Sequence, residues 1–235
     1  MFSSNWLALL AALGLALAWL RIWDFAANRG LISSPLSRKI IHIGTGPIYV
    51  LSWLFFNDQP EARYLAALIP FAITAQFALV GLGLWRDPAA VKAMSRSGDR
   101  REILRGPLYY GIAHVLLTIL FWKTSPVGIM ALMMLCGGDG LADVVGKRVR
   151  SACLPWSPNK TVAGSLAVFA GGLVIGIGVM AVYLAAGVFS GSLASYLLPM
   201  AGIALAGAAI ESLPYQDIDN LTVPLVAVLL GTWWF

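Results

Sequence analysis

The sequence predicts an all-α protein: a polytopic bundle of about seven or eight transmembrane helices, folded as one domain over residues 1–235. Three observations carry that expectation. Hydrophobic residues make up 59% of the chain and charged residues only 11%, against ~25% charge in a soluble domain, and mean hydropathy is +0.80. Apolar runs of membrane-spanning length recur along the chain. Basic residues fall almost wholly into alternate connections between those runs.

In order, the candidate spans are residues 5–23, 40–56, 64–85, 107–122, 126–145, 162–188, 192–210 and 221–235. The first follows no basic residue and is long for the apolar part of a signal peptide, so it reads as a retained span. The chain opens with no Arg- and Ser-rich leader, which fits a bacterial protein better than an organelle-imported one, and the expected location is a bacterial inner or thylakoid-type membrane. The last span is short, and the fifth carries Asp139 and Asp143 in its second half, so seven is the alternative count.

The connections after the first, third, fifth and seventh spans share one face. They hold every one of the 16 Lys and Arg residues except Arg63 and Lys123. That bias assigns the face to the cytoplasm, and Trp233 and Trp234 suit an aromatic belt on the other side. The net charge of +5 therefore serves topology and contact with lipid or phosphate, not nucleic acid. Residues 86–105 read as an amphipathic surface helix. Cys136 and Cys153 make no metal spacing and no disulfide framework, and Cys136 reads as a small packing residue. Gly171, Gly172, Gly176 and Gly178 read as points of close helix packing in the sixth span.

The unusual polar residues gather on the basic face. Gly137-Gly138-Asp139-Gly140-Leu141-Ala142-Asp143 ends the fifth span, with Asp139 and Asp143 on one face of a helix. Carboxylates at the edge of a span are costly. A pair of them suits Mg²⁺ held together with a nucleotide's phosphates; an ion pair of Asp143 with Lys147 is the plainer reading. Pro158-Asn159-Lys160-Thr161 opens the sixth span, with Asn159 or Thr161 as its cap. Lys160 is then a point charge for phosphate or a snorkelling side chain. The P-loop pattern is absent. Arg38 and His42 share a helix face beside Lys39 at the entry to the second span. Glu102 and Arg105 precede the fourth, which carries Tyr110 and, one turn on, His114. Positive-inside anchoring and buried, hydrogen-bonded histidines explain these residues taken alone. Glu211, Asp217, Asp219 and Asn220 form an acidic stretch that anchoring does not require, suited to metal, base or arginine pairing.

Together, Ser37-Arg38-Lys39-Ile40-Ile41-His42-Ile43-Gly44-Thr45-Gly46, residues 101–111, residues 138–148, residues 154–165 and residues 211–224 resemble the polyprenol kinase family of phytol, farnesol and dolichol kinases, and look most like its phytol kinase branch. The likeness runs through nearly the whole chain in family order. It implies phosphoryl transfer from a nucleoside triphosphate, typically CTP with ATP as the alternative, to a long-chain isoprenoid alcohol, above all phytol recycled toward tocopherol. It implies Mg²⁺ on Asp139 and Asp143, and catalysis by these two with Lys160 and Glu211. It implies nucleotide contacts from Arg38, Lys39, His42, Lys147, Arg148, Asn159 and Thr161. Glu102, Arg105, Tyr110, His114, Asp219 and Asn220 take substrate-side or structural roles. The base for the alcohol is Asp143, Glu211 or Asp219. The expected partners are the alcohol in the bilayer, the nucleotide and the lipid membrane, with no nucleic acid. Two rivals accompany this reading. Residues 157–164 are also similar to CTP:phosphatidate cytidylyltransferases, whose closing signature is missing. A transporter or scaffold would place its polar residues at the midplane rather than at one surface.

Overall fold

The computed structural model describes residues 4–95, 97–215 and 217–235, and among these the side chains of all but Ser34, Arg38 and Asp139. The expected spans are all helices. Helix α1 (Asn5–Asn28) begins where the Ser4 hydroxyl accepts the Trp6 amide, a polar cap ahead of a long apolar run. Helix α2 (Ser34–Ser52) carries Pro35 in its first turn, where a missing N–H costs nothing. Helix α3 (Ala62–Leu82) stops at Gly83, whose φ of 81° disfavours a side chain. Helix α5 (Gly106–Phe121) and helix α6 (Pro126–Met133) follow the short α4 (Pro88–Met94). A π-helical turn, Met134–Gly138, joins α6 to α7 (Asp139–Arg148). A hairpin of β1 (Cys153–Leu154) and β2 (Ser157–Thr161) then leads into α8 (Val162–Ala185), and α9 (Leu193–Glu211) and α10 (Asp219–Trp234) complete the chain.

Among the described residues, six segments are long and apolar enough to cross a membrane: Asn5–Asn28, Ala62–Leu82, Arg100–Thr124, Pro126–Arg148, Val162–Ala185 and Leu193–Glu211. The remaining two helices fall short of that standard for physical reasons. Lys39 and His42 dilute the first half of α2, and α10 runs only 16 residues. The bundle is organised around α6 and its continuation. In Pro126–Arg148 the apolar stretch is 76% buried, against 11% in α1. Val127, Ile129, Met130, Leu132, Met133 and Met134 form the centre of the core.

Glycines set how closely α8 approaches this centre. A Cβ on Gly171 would lie 2.8 Å from the Gly137 carbonyl oxygen, and one on Gly176 2.7 Å from Met130 Sδ; Gly172 abuts Met134. Gly178 differs from expectation, because nothing lies within 4 Å of that position. Prolines at positions 47, 70, 199 and 224 sit inside helices, as apolar surroundings and neighbouring helices allow. Residues 86–105 do not form one amphipathic helix. Asp87 caps α4 through the Ala90 amide at 2.9 Å, and Gly98, with φ of 86°, breaks the chain before a 3-10 turn at Arg100–Leu104. At the end of the bundle near the N-terminus, Lys123 is buried against Asp58 Oδ1 (2.8 Å) and the Phe56 carbonyl (2.9 Å), so this off-pattern cation is neutralised within the protein.

Candidate active site

The other end of the bundle brings together the first half of α2, the end of α7, the hairpin, the first turn of α8, the end of α9 and the start of α10. Close packing makes this possible. At Gly140 a Cβ would lie 3.1 Å from the His42 ring, so α7 rests directly on α2. Gly146 meets Gly164 and Thr161 Oγ1, so α7 also rests on the start of α8.

Asp143 is the centre of this arrangement. Its Oδ2 lies 3.0 Å from Lys39 Nζ and its Oδ1 2.6 Å from Lys147 Nζ. The carboxylate is partly exposed, with 31% of its side chain accessible. The Lys147 contact is the i,i+4 pair expected from sequence; the Lys39 contact crosses from a different helix and was not. The side chains of Arg38 and Asp139 lie outside the described residues. Arg148 is exposed at the end of α7.

A second ionic cluster sits beside the first. Lys160, on β2, places Nζ 2.9 Å from Glu211 Oε1 and 3.7 Å from Asp219 Oδ2, and it also bonds the Glu211 carbonyl. Glu211 is buried, at 7% exposure. Glu211, Asp219 and Asn220 line a small cavity closed below by Met134 and Leu135 of the π turn. Thr161, not Asn159, caps α8, accepting the Gly164 amide at 3.1 Å; Asn159 is exposed. The Ser165 hydroxyl, one turn into α8, is buried with no hydrogen-bond partner among the described residues. The loop before α10 turns at Asp217, whose φ is 67°. It packs on Gly106 at the start of α5, where a Cβ would lie 3.0 Å from Asp217 Oδ1.

Tyr110 and His114 serve the interior. His114 is 4% exposed. Its Nδ1 lies 2.9 Å from the Tyr110 carbonyl, which can only accept, so Nδ1 carries the proton. Nε2 then faces Cys136 Sγ at 3.4 Å, and the Tyr110 hydroxyl lies 3.0 Å from the same sulfur. His42 packs on the Tyr110 ring with centroids 4.9 Å apart. Cys136 is thus a packing residue, as read from sequence, and also the polar joint of this cluster. Glu102 is engaged locally by Ser97, 2.7 Å from its hydroxyl, and Arg105 is exposed ahead of Gly106.

An apolar groove of about 280 Å³ runs between α7 and α8, lined by Leu141, Val145, Ala167, Ala170, Gly171, Val174 and Ile175. Leu141 and Val145 bracket Asp143 in sequence and stand on another face of the same helix.

The chain is 42% identical over 226 residues to a probable phytol kinase 2, chloroplastic, of Oryza sativa subsp. japonica, covering 94% of this chain and 73% of that one. It belongs to the phytol kinase family. Phytol kinase 1, chloroplastic, of Arabidopsis thaliana is 35% identical over 224 residues, with 94% and 74% covered. Farnesol kinase, chloroplastic, of the same plant is 37% identical over 218 residues, with 92% and 71% covered. No family model and no solved structure matches the chain. Membership makes this chain a kinase of the polyprenol kinase group, and the six apolar segments make it a multi-pass membrane protein. The relatives named here are chloroplastic plant proteins, so the expected bacterial setting draws no support from them.

Three features of this phytol kinase family site escaped the sequence reading. The hairpin is one, since residues 158–161 read from sequence only as the opening of a helix and Pro155 and Pro158 mask a strand signal. The π turn has no composition signature beyond Gly137-Gly138. The Lys39–Asp143 contact depends on how α2 packs against α7, which periodicity alone does not specify.

Proposed function

We propose that the chain transfers the terminal phosphoryl group of a nucleoside triphosphate, CTP foremost, to the hydroxyl of a long-chain isoprenoid alcohol, phytol foremost. The observation that carries this reading is the convergence of Lys39 and Lys147 on Asp143, at the end of the bundle that also holds Lys160. Phosphoryl transfer needs positioning and charge neutralisation more than covalent help. Lysines supply mobile point charges for it. The alcohol fits the same location. Its hydroxyl rests at the polar end while its chain stays in lipid or in the apolar groove between α7 and α8. The basic residues crowding this end support its assignment to the cytoplasmic face.

Mg²⁺ fits the residues present. It is usually held by one or two carboxylates plus substrate phosphates, not by an all-protein cage. No group of three metal-ligating side chains occurs among the described residues, and Asp143 is partly open to water. Asp143 with Asp139 would hold the ion, which when bound offsets charge on the triphosphate. Lys39 and Lys147 would exchange Asp143 for phosphate oxygens, joined by Lys160 and by Arg38 and Arg148, with His42 beside them. The alcohol oxygen then bonds to the γ-phosphorus, the bond to the β-bridging oxygen breaks, and the nucleoside diphosphate leaves. The hydroxyl proton passes to the Glu211–Asp219 pair.

The test is purified protein offered phytol, geranylgeraniol, farnesol and a long polyprenol against CTP and ATP, with and without Mg²⁺. Phytyl monophosphate with release of CDP, lost on chelation, supports the reading. Release of pyrophosphate would identify a cytidylyltransferase instead. Asp139→Asn should abolish turnover in protein that still inserts normally; near-normal turnover would remove the metal role.

A further inference from the structure

The hairpin carries an aromatic residue that the ionic clusters do not use. Trp156 lies at the turn between β1 and β2, where Leu154 pairs with Ser157. It is 55% exposed. Its indole N–H is nevertheless committed, donating to Ser212 Oγ at 3.2 Å. Ser212 is itself fixed, buried and donating to the Ala209 carbonyl at 2.7 Å. The edge of the ring is therefore pinned to the end of α9, while much of its surface stays open to water.

Lys160 stands four residues further along the same hairpin, and it grips Glu211, the neighbour of Ser212. The two contacts are to consecutive residues, so the edge of the ring and the ammonium are held side by side at the end of α9. One short hairpin thus presents a flat aromatic surface beside a phosphate-directed ammonium, and both are clamped to the same stretch of chain.

We propose that Trp156 is the platform on which the base of the donor nucleotide stacks, a reading that rests on a nucleoside triphosphate being the phosphoryl donor. Every base has a π-face, so such a platform supplies affinity without choosing among bases. An interfacial tryptophan of a membrane belt is the other use of a half-exposed ring. Here the polar neighbours on the hairpin, Ser157, Asn159 and Lys160, argue for water, and the N–H that a belt residue would offer to headgroups is already bound to Ser212.

The experiment measures the KM for CTP, the KM for phytol and the inhibition constant of inorganic triphosphate, for wild type, Trp156→Phe, Trp156→Ala and Ser212→Ala in detergent micelles. Trp156→Ala should raise the CTP KM about tenfold and leave the other two constants within about twofold, because triphosphate has no base to stack. Trp156→Phe keeps a ring and should stay near wild type, although it loses the bond to Ser212. An unchanged CTP KM in Trp156→Ala overturns the proposal. So does a rise in the phytol KM alone, which would mark a membrane contact. A Trp156→Phe that behaves like Trp156→Ala, with Ser212→Ala alike, also overturns it, since the anchor and not the ring would then matter. If wild type makes no phosphorylated alcohol, both this proposal and the kinase reading fail; an active wild type with an unaffected Trp156→Ala removes this proposal alone.

Discussion

Replacing Lys160 by Met separates what this side chain does for folding from what it does for chemistry. Its ammonium group lies 2.9 Å from Glu211 Oε1 and 3.7 Å from Asp219 Oδ2, and the Glu211 side chain is only 9% exposed. Without the cation, a buried carboxylate is left facing a second carboxylate. Breaking a buried pair costs about 3–5 kcal/mol. Both acids keep some water, so the low end, about 3 kcal/mol, applies here. At roughly 2–4 °C per kcal/mol for a chain of this size, Tm should fall by about 6–12 °C. The double variant Lys160→Met, Glu211→Gln leaves no unpaired charge on Glu211 and should recover most of that loss. Turnover should not follow. If Lys160 holds a phosphate oxygen, both variants lose on the order of 10²–10³-fold in kcat/KM. Thermal unfolding of detergent-purified protein reports the first effect, and transfer of labelled phosphate to phytol the second. A double variant that regains wild-type turnover together with its Tm would refute the phosphate role and leave Lys160 as a strut.

Three further outcomes test other parts of the structure. Asp143→Asn should lower turnover by about 100-fold or more, yet shift stability by less than about 1 kcal/mol, because its ion pairs are partly exposed and weak; a large drop in Tm would make Asp143 a structural residue. Gly171→Ala forces a methyl group against the Gly137 carbonyl and Leu141 and should cost about 2 kcal/mol, whereas Gly178→Ala meets nothing within 4 Å and should be neutral or gain up to about 1 kcal/mol. Equal Tm values for the two variants would contradict the packing. A maleimide should label Cys153 in the folded protein and Cys136 only after denaturation, since Cys153 is exposed and Cys136 buried; rapid double labelling would show that the core is open.

Much of this architecture was legible because its causes are local. Apolar runs and the cap at Thr161 mark helices that any chain with these residues would form, while the caps at Ser4 and Ser125 and the stop at Gly83 follow the same local rules. The crowding of polar residues at one end was legible for the same reason, since alternate loops must return to the same side of a bundle. The pairing within that end was not. Lys147 was expected on Asp143 because both lie on one helix face. Lys39 arrives from α2 only because Gly140 has no side chain and lets the two helices touch. Glu211 and Lys160, 51 residues apart, meet through tertiary packing alone. His114 was visible as a buried polar group and Cys136 as a packing residue, but their mutual satisfaction with Tyr110 needed separate elements in place at once.

The π turn at Met134–Gly138 also governs what this region tolerates in length. Such a turn holds one residue more than the α-turn it replaces, and each residue of an α-helix advances the azimuth by about 100°. Deleting a single residue there would let the segment relax into an unbroken α-helix without shortening the bundle much. All that follows would keep nearly the same azimuth, because four α-helical residues turn about as far as five π-helical ones, so Asp143 would still face Lys39 and Lys147. A one-residue deletion is therefore absorbed at this point, whereas the same deletion in the regular turns of α6 would swing Asp143 by about 100° from Lys39, and the phase of the wheel, more than its composition, keeps the acidic group in view of its partner.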